Sequence, residues 1–187
     1  MSYRLIDEKT LHVGKKVRFA LQRWRNEETG REVEREVCVH PGAVVVLPLR
    51  QDGCVVLIRN RRQAIDQVLL ELPAGTLEKD EEPAKCAARE LLEETGYRAG
   101  RIEPLASFYT SPGVLTEKMY AFVAYDLKAE QSALEEGEEI ELAPTPISQV
   151  VAMCGDGRIV DGKTIATLLM FDRVKAKRDA LGGSRKD

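Results

Sequence analysis

The stretch Gly75-Thr76-Leu77-Glu78-Lys79-Asp80-Glu81-Glu82-Pro83-Ala84-Lys85-Cys86-Ala87-Ala88-Arg89-Glu90-Leu91-Leu92-Glu93-Glu94-Thr95-Gly96-Tyr97 is the most informative part of this chain. Pro83 suits the first position of a helix and Gly96 the residue just past its end, so a helix is predicted from Pro83 to Thr95. Ala84, Ala88, Leu91 and Thr95 recur at spacings of four, three and four and form the stripe expected to face the core. Glu90, Glu93 and Glu94 fall on a neighbouring face, because residues three and four apart are adjacent on a helix. Like charges at that spacing cost about 0.2–0.5 kcal/mol per pair. Arg89 is the cation within that patch. Hard divalent cations take oxygen ligands, and Mg2+ typically combines carboxylates with substrate phosphates. The preceding segment Leu72-Pro73-Ala74-Gly75 reads as a tightly turned loop whose glycine lets the backbone approach a ligand. Such a loop and an acid-bearing helix can hold a metal between a backbone carbonyl and side chains.

Outward from this stretch the chain alternates strands and helices. Val17, Phe19 and Leu21 alternate with Arg18 and Ala20, which predicts a half-buried strand. Asn26-Glu27-Glu28-Thr29-Gly30 is a turn, and Val33, Val37 and Val39 resume the alternation. These two strands form an N-terminal antiparallel β-hairpin over residues 1–40. Two strands alone are barely stable in water, so the hairpin must pack on the rest of the chain or on a second copy. Ala43 to Leu49 is a nearly continuous apolar strand, followed by the turn Gln51-Asp52-Gly53 and a strand from Cys54 to Ile58. Further strands are expected over Leu69–Leu72, Ile102–Tyr109 and Met119–Leu127, an acidic solvated loop over Glu135–Glu141, and helices over Ile147–Met153 and Thr164–Lys175. Gly182 to Asp187 is expected to fray. The mixture of hairpins and helices predicts an α/β protein with a mixed sheet flanked by helices.

Composition narrows the function classes. The chain has 187 residues, 43% of them hydrophobic and 32% charged, which suits one globular domain with a real core. A net charge of −3 argues against a nucleic-acid partner. The longest apolar runs are too short to span a bilayer, and Met1-Ser2-Tyr3-Arg4-Leu5-Ile6-Asp7 lacks the apolar core of a signal peptide. Cys38, Cys54, Cys86 and Cys154 show no metal-type spacing and read as reduced thiols of a cytoplasmic protein.

Gly75, Glu81, Arg89-Glu90-Leu91, Glu93-Glu94 and Gly96-Tyr97 together resemble the Nudix box, with every specified position met. Tyr97 is a slightly unusual choice where an aliphatic residue is common. The resemblance implies a Nudix fold, an α/β/α sandwich with a mixed β-sheet, over residues 41–187. It also implies hydrolysis of a nucleoside diphosphate linked to another group, with Mg2+, or Mn2+ as its substitute. By position, Glu90 and Glu94 would be the main metal ligands, and Glu93 a further ligand or the base. The Ala74 carbonyl would be a backbone ligand, Arg89 would orient the glutamates, and Glu81 would support the junction of loop and helix.

Flanking segments resemble the ADP-ribose pyrophosphatase and nucleoside diphosphate sugar hydrolase subfamily. Ser111-Pro112-Gly113-Val114-Leu115-Thr116-Glu117 looks like its substrate loop, which implies substrate contacts at Pro112 and Gly113 and a catalytic base or extra ligand at Glu117. The alternative is an ordinary Pro-Gly turn followed by a surface glutamate. Arg62 matches a phosphate-binding arginine, and Glu71 would lie near the metals. Asn60-Arg61 departs from the subfamily's pattern, and Arg59 and Arg61 also read as solvated charges of an edge strand. Asp161-Gly162-Lys163-Thr164 resembles the subfamily's ending and that of GDP-mannose hydrolases. The subfamily further implies a homodimer that exchanges its N-terminal strands. In it Trp24 would stack on a nucleobase or simply pack, and Arg35 would reach a phosphate or form a cross-strand salt bridge. His12 and His40 fit no pattern. The leading expectation is an enzyme acting on ADP-ribose, followed by GDP-mannose or another nucleoside diphosphate hexose, and then by a non-catalytic nucleotide-sugar-sensing module.

Overall fold

The computed structural model describes residues 2–130 and 139–182. In chain order the elements are β1 (Tyr3–Val13), β2 (Arg18–Asn26), β3 (Glu32–Val39), β4 (Ala43–Pro48), β5 (Cys54–Arg62), β6 (Gln67–Glu71) and β7 (Ala74–Thr76). After α1 (Pro83–Thr95) come β8 (Tyr97–Tyr109), β9 (Lys118–Ala129), β10 (Ile140–Pro146), α2 (Ile147–Gly155) and α3 (Gly162–Gly182). They form a sheet ordered β7-β4-β9-β8, a second ordered β10-β5-β6, and an N-terminal sheet ordered β1-β2-β3. β4 runs parallel to β9 and antiparallel to β7, which makes the first sheet mixed.

β4 explains why its sequence is apolar throughout: both of its faces are covered. Val44 and Val46 pack with Cys86, Ala87 and Leu91 of α1 and with Phe122 and Ala124 of β9. Val45 and Leu47 point the other way, into a cluster with Leu57, Leu72, Val123, Val150 and Leu168. Residues from β5, α2 and α3 thus close the opposite side, and the expected α/β/α sandwich results.

Several local expectations are corrected. The N-terminal hairpin is present as β2 and β3, but β1 pairs with β2 and makes a three-stranded sheet. β1 was silent in the sequence because all but Ile6 of its side chains are exposed, which leaves no alternation of burial to read. On α1 the buried stripe includes Ala87, Leu91 and Thr95, with Ala88 exposed. Ala87 and Ala88 both satisfy helical spacing to Leu91, and packing against β4 selects Ala87. Ala74–Thr76 is a short strand on β4 rather than a tight loop. β5 is central in its sheet, not an edge, although Arg59 and Arg61 are solvated as expected. Within the expected acidic loop, Ile140 and Glu141 begin β10, and residues 135–138 lie outside the described residues. Gly182 ends α3, and the remainder of the expected frayed tail lies outside them as well.

The stripe correction has a direct test. Ala87→Lys places a charge in the closed contact between α1 and β4 and is expected to cost more than about 3 kcal/mol in urea unfolding, whereas Ala88→Lys stays within about 0.5 kcal/mol.

Candidate active site

Pro83 opens α1, and Gly96 closes it in the left-handed region at φ 67°, where its N–H donates to the Leu92 carbonyl. The ends expected from the sequence are therefore the real ones. They fix the rotation of α1, and with it the direction in which its acids project. Arg89 sits among them. Its Nε and Nη2 donate to the two carboxylate oxygens of Glu81, each at 3.0 Å. Its Nη1 donates to Glu90 at 2.8 Å and to Glu93 at 3.0 Å. Nη2 also reaches the Thr76 carbonyl at 3.4 Å. One planar guanidinium thus ties three carboxylates and the β7 backbone together, as its forked donors allow. The Glu81 hydrogen bonds push the Arg89 pKa further up.

Gly75 faces this cluster. A Cβ built there would lie 1.8 Å from the Glu90 carboxylate, so the glycine is required by the approach of Glu90 to the strand and not by a turn. Beside it the Ala74 N–H donates to the buried Glu94 carboxylate at 2.9 Å. Carboxylates and a backbone carbonyl are the hard oxygen donors that a small divalent cation prefers, so the donor set at Ala74, Glu90, Glu93 and Glu94 fits such an ion. Among the described residues no group of three or more His, Cys, Asp or Glu side chains is gathered into a ligand set. Glu90 and Glu93 accept from Arg89, and Glu94 accepts from the Ala74 N–H.

A second ionic knot lies next to the first. Glu71 is fully buried and receives Nε and Nη2 of Arg62 at 2.8 and 2.5 Å. Lys163 also donates to Glu71 and pairs with Asp161 at 3.0 Å. Asp161 caps α3 by accepting the Thr164 N–H at 2.9 Å, and the Thr164 hydroxyl holds the Leu72 N–H at 2.9 Å. The Asp161-Gly162-Lys163-Thr164 motif therefore has a structural role: it fastens α3 to the strand entering the site. Glu71 pushes the Arg62 pKa up, against the effect of burial.

A cavity of about 720 Å3 opens beside this knot, lined among others by Arg62, Phe108, Tyr109, Leu115, Glu117 and Lys163. A smaller one of about 580 Å3 is lined by Lys15, Lys16, Arg62, Arg89, Glu90 and Glu94. Arg62 and Ala74–Thr76 border both. Arg62, Glu71, Gly75 and Glu117 thus line the large cavity, and Arg62, Gly75, Arg89, Glu90 and Glu94 the smaller one, while Glu81 and Glu93 line neither. Gly113 and Arg35 meet elsewhere, in a groove with Leu21 and Val114. Pro112 sits on the exposed turn whose Val114 N–H donates to the Ser111 carbonyl. Trp24 lies in the N-terminal sheet between Leu5 and Val33, and its indole N–H donates to Gln22. Neither Trp24 nor Arg35 lines either of the two larger cavities.

A model of the NUDIX domain matches residues 39–168. The chain belongs to the Nudix family. Nudix relatives include a protein of Bacillus subtilis named ADP-ribose pyrophosphatase, 36% identical over 137 residues that cover 72% of this chain and 74% of the relative. A Pectobacterium atrosepticum protein named GDP-mannose pyrophosphatase is 38% identical over 159 residues, 80% of this chain and 81% of the relative. A crystal structure titled as an ADP compounds hydrolase superposes with a TM-score of 0.81 over 100% of this chain and 98% of that one, at 20% identity, and shows the fold.

Sequence reasoning missed one residue at this Nudix site. His40, just past β3, turns Nε2 toward the Glu117 carboxylate at 3.6 Å, with its side chain 9% exposed. Burial pushes its pKa down, and Lys16 adds to this while Glu117 opposes it. The sequence carries no short-range signal for it, because 76 residues separate His40 from its other partner in that loop, Thr116.

The Arg89 hydrogen bonds pull the Glu81 carboxyl from its ordinary 4.5 down to about 2, against the opposing effect of burial and with help from the Glu78 N–H. A carboxyl depressed on folding adds stability above its unfolded pKa and loses it as pH falls through its folded one. Urea unfolding is therefore expected to show a Glu81→Gln variant less stable than the parent at pH 6, with the gap closing between about pH 4.5 and 2.

Proposed function

We propose that this Nudix enzyme hydrolyses the pyrophosphate bond of ADP-ribose or a related nucleoside diphosphate sugar, giving a nucleoside monophosphate and a sugar phosphate. The observation that carries the reading is the shared wall Ala74–Thr76: acids and Arg89 on one side, the roomy cavity on the other, and Arg62 bordering both. A nucleotide sugar has the matching form, a dianionic centre between two bulky organic ends. The names of the relatives support the same substrate class.

The residues divide the work as follows. Mg2+, with Mn2+ as its substitute, suits Glu90, Glu94, Glu93 and the Ala74 carbonyl, and when bound its chemistry is to neutralise pyrophosphate charge and lower the pKa of water. Arg89 orients Glu90 and Glu93. Glu93 or Glu117 takes the proton of the attacking water in this reading, a contribution of about 10²–10⁴-fold, supported by the Arg89–Glu93 pair and by Glu117 lining the large cavity. Arg62, held by Glu71 and still 40% exposed, presents its guanidinium to phosphate oxygens. Phe108, Tyr109 and Leu115 offer the organic ends of the substrate an apolar and aromatic wall.

Residues 1–40 and 41–187 act as two units in this reading, the first packing on a second copy in a homodimer. Support comes from the exposed Leu5, Leu11, Val13 and Phe19 of the N-terminal sheet, at 40%, 53%, 68% and 48%. In that dimer Trp24 and Arg35 approach the partner's nucleotide, while Pro112 and Gly113 shape the substrate loop. A cytoplasmic location suits the four free cysteines. No helix among the described residues is long and apolar enough to cross a membrane, and the net charge of −3 disfavours nucleic acid. GDP-mannose or another nucleoside diphosphate hexose is the second reading, favoured by the GDP-mannose pyrophosphatase relative and by the departure at Asn60-Arg61, of which Asn60 lines the smaller cavity. A non-catalytic sensing module would have no use for Glu90, Glu93 and Glu94 together.

A panel of ADP-ribose, GDP-mannose, ADP-glucose, diadenosine polyphosphate and dATP with excess Mg2+ is expected to show the highest kcat/KM for ADP-ribose, with AMP and ribose 5-phosphate as products. No turnover of any member would overturn the reading. Glu93→Gln and Glu94→Gln should each lower kcat by at least about 10²-fold. Light scattering at micromolar concentration should give twice the monomer mass, and a monomer would remove the role assigned to residues 1–40.

A further inference from the structure

The end of β3 is stitched to the loop that carries Glu117. The Cys38 N–H donates to the Val114 carbonyl at 2.8 Å, and the Thr116 N–H returns to the Cys38 carbonyl at 3.0 Å. The Thr116 hydroxyl accepts the His40 N–H at 2.8 Å and donates to the His40 carbonyl at 3.3 Å. These four bonds fix the backbone of His40 against the loop. The ring is fixed separately. The Gly42 N–H donates to His40 Nδ1 at 3.1 Å, which requires a lone pair there and puts the proton of the neutral ring on Nε2. Gly42 reaches this position with φ at 111°, and a Cβ there would stand 3.0 Å from Leu77. Nε2 faces Glu117 Oε1 at 3.6 Å, while the other oxygen, Oε2, accepts the Thr110 hydroxyl at 2.6 Å. The Glu117 side chain is 18% exposed and lines the large cavity.

We infer that His40 is a positioning residue for the catalytic carboxylate Glu117, aiming it into the cavity with Thr110 as the second holder. The inference rests on the pyrophosphatase reading and deepens it. It also gives the N-terminal sheet a role within its own chain: β3 delivers His40 to the loop. The ring lines none of the three cavities described above. Its effect passes through the orientation of one carboxylate, and misplacing such a group by about 1 Å costs up to about 10²-fold.

Four full-length proteins test this: the parent, His40→Ala, Glu117→Gln and the double variant, assayed with Mg2+ and the preferred nucleotide sugar. His40→Ala should lower kcat by about 10-fold with KM within about twofold, since orientation is lost and binding is not. In the Glu117→Gln background the same change should alter kcat by less than about twofold, because residues acting through one another are not additive. His40→Gln, whose amide can still donate toward Glu117, should recover most of the loss. A second readout needs neither substrate nor metal. The chain holds only two histidines, so the ring nitrogens of His40 can be followed by NMR with His12→Gln for assignment. They should shift on Glu117→Gln and stay unmoved on Glu93→Gln. Additive losses in the double variant, an unchanged kcat in His40→Ala, or His40 signals indifferent to Glu117→Gln would each overturn the inference. A parent inactive on the whole panel, with His40 still responding to Glu117→Gln, would instead support the pairing and sink the pyrophosphatase reading.

Discussion

A single guanidinium holds the acidic face together. Glu90 and Glu93 meet Arg89 on a short helix, and Glu81 closes on the same place from the preceding loop. Left to themselves these charges would splay the loop from α1. Arg89 answers them by geometry as much as by charge, since its fork meets Glu81 with two parallel bonds and still reaches Glu90 and Glu93. A lysine there would bring the same charge without the fork. The cluster is half-buried, with the Arg89 side chain 26% exposed, so the attraction is less screened than on an open surface.

The second knot repeats the logic with the signs reversed. Here the buried group is the acid, Glu71, and two cations from different elements converge on it. An unpaired carboxylate at that depth would cost several kcal/mol, so Arg62 and Lys163 are conditions of the fold before they are anything else. Their arrangement places β7 between the knots. Glu94 takes the Ala74 N–H, Arg89 touches the Thr76 carbonyl, and Thr164 holds the Leu72 N–H just upstream. The strand that borders both cavities is therefore fixed along its length, as a site that must hold reacting groups within a fraction of an ångström requires.

What could be read from the sequence follows the range of the interactions involved. The limits of α1 were legible because Pro83 and Gly96 act on their own backbone. β4 was legible because burial on both faces leaves an apolar run. The box was legible because its parts lie on one loop and one helix. The choice of Ala87 over Ala88 was not, because both satisfy helical spacing and the decision belongs to β4 and β9. β1 was not, because a strand exposed along nearly its whole length carries no pattern of burial. The need for glycine at 75 was legible only in part, because the group a Cβ would strike is Glu90, fifteen positions on (90 − 75). His40 was invisible because its meaning depends on β3 lying beside a loop more than seventy positions away.

The same distinction separates the chemistry of this site from its substrate. The acids and Arg89 come from one contiguous stretch, so their arrangement survives wherever that stretch survives. Most of the large cavity is assembled from β5 and β6, the end of β8, the loop to β9 and the start of α3, with Ala74–Thr76 as the wall it shares with the acidic side. Apart from that shared wall, these parts lie outside the contiguous stretch that carries the acids. Relatives of similar identity carry names with different nucleotide sugars. Resemblance along the chain measures mainly the local half. In the proposed reading the substrate is selected by Arg62, Phe108, Tyr109, Leu115 and their neighbours, which line the large cavity, and by the Glu117 loop that β3 holds beside them.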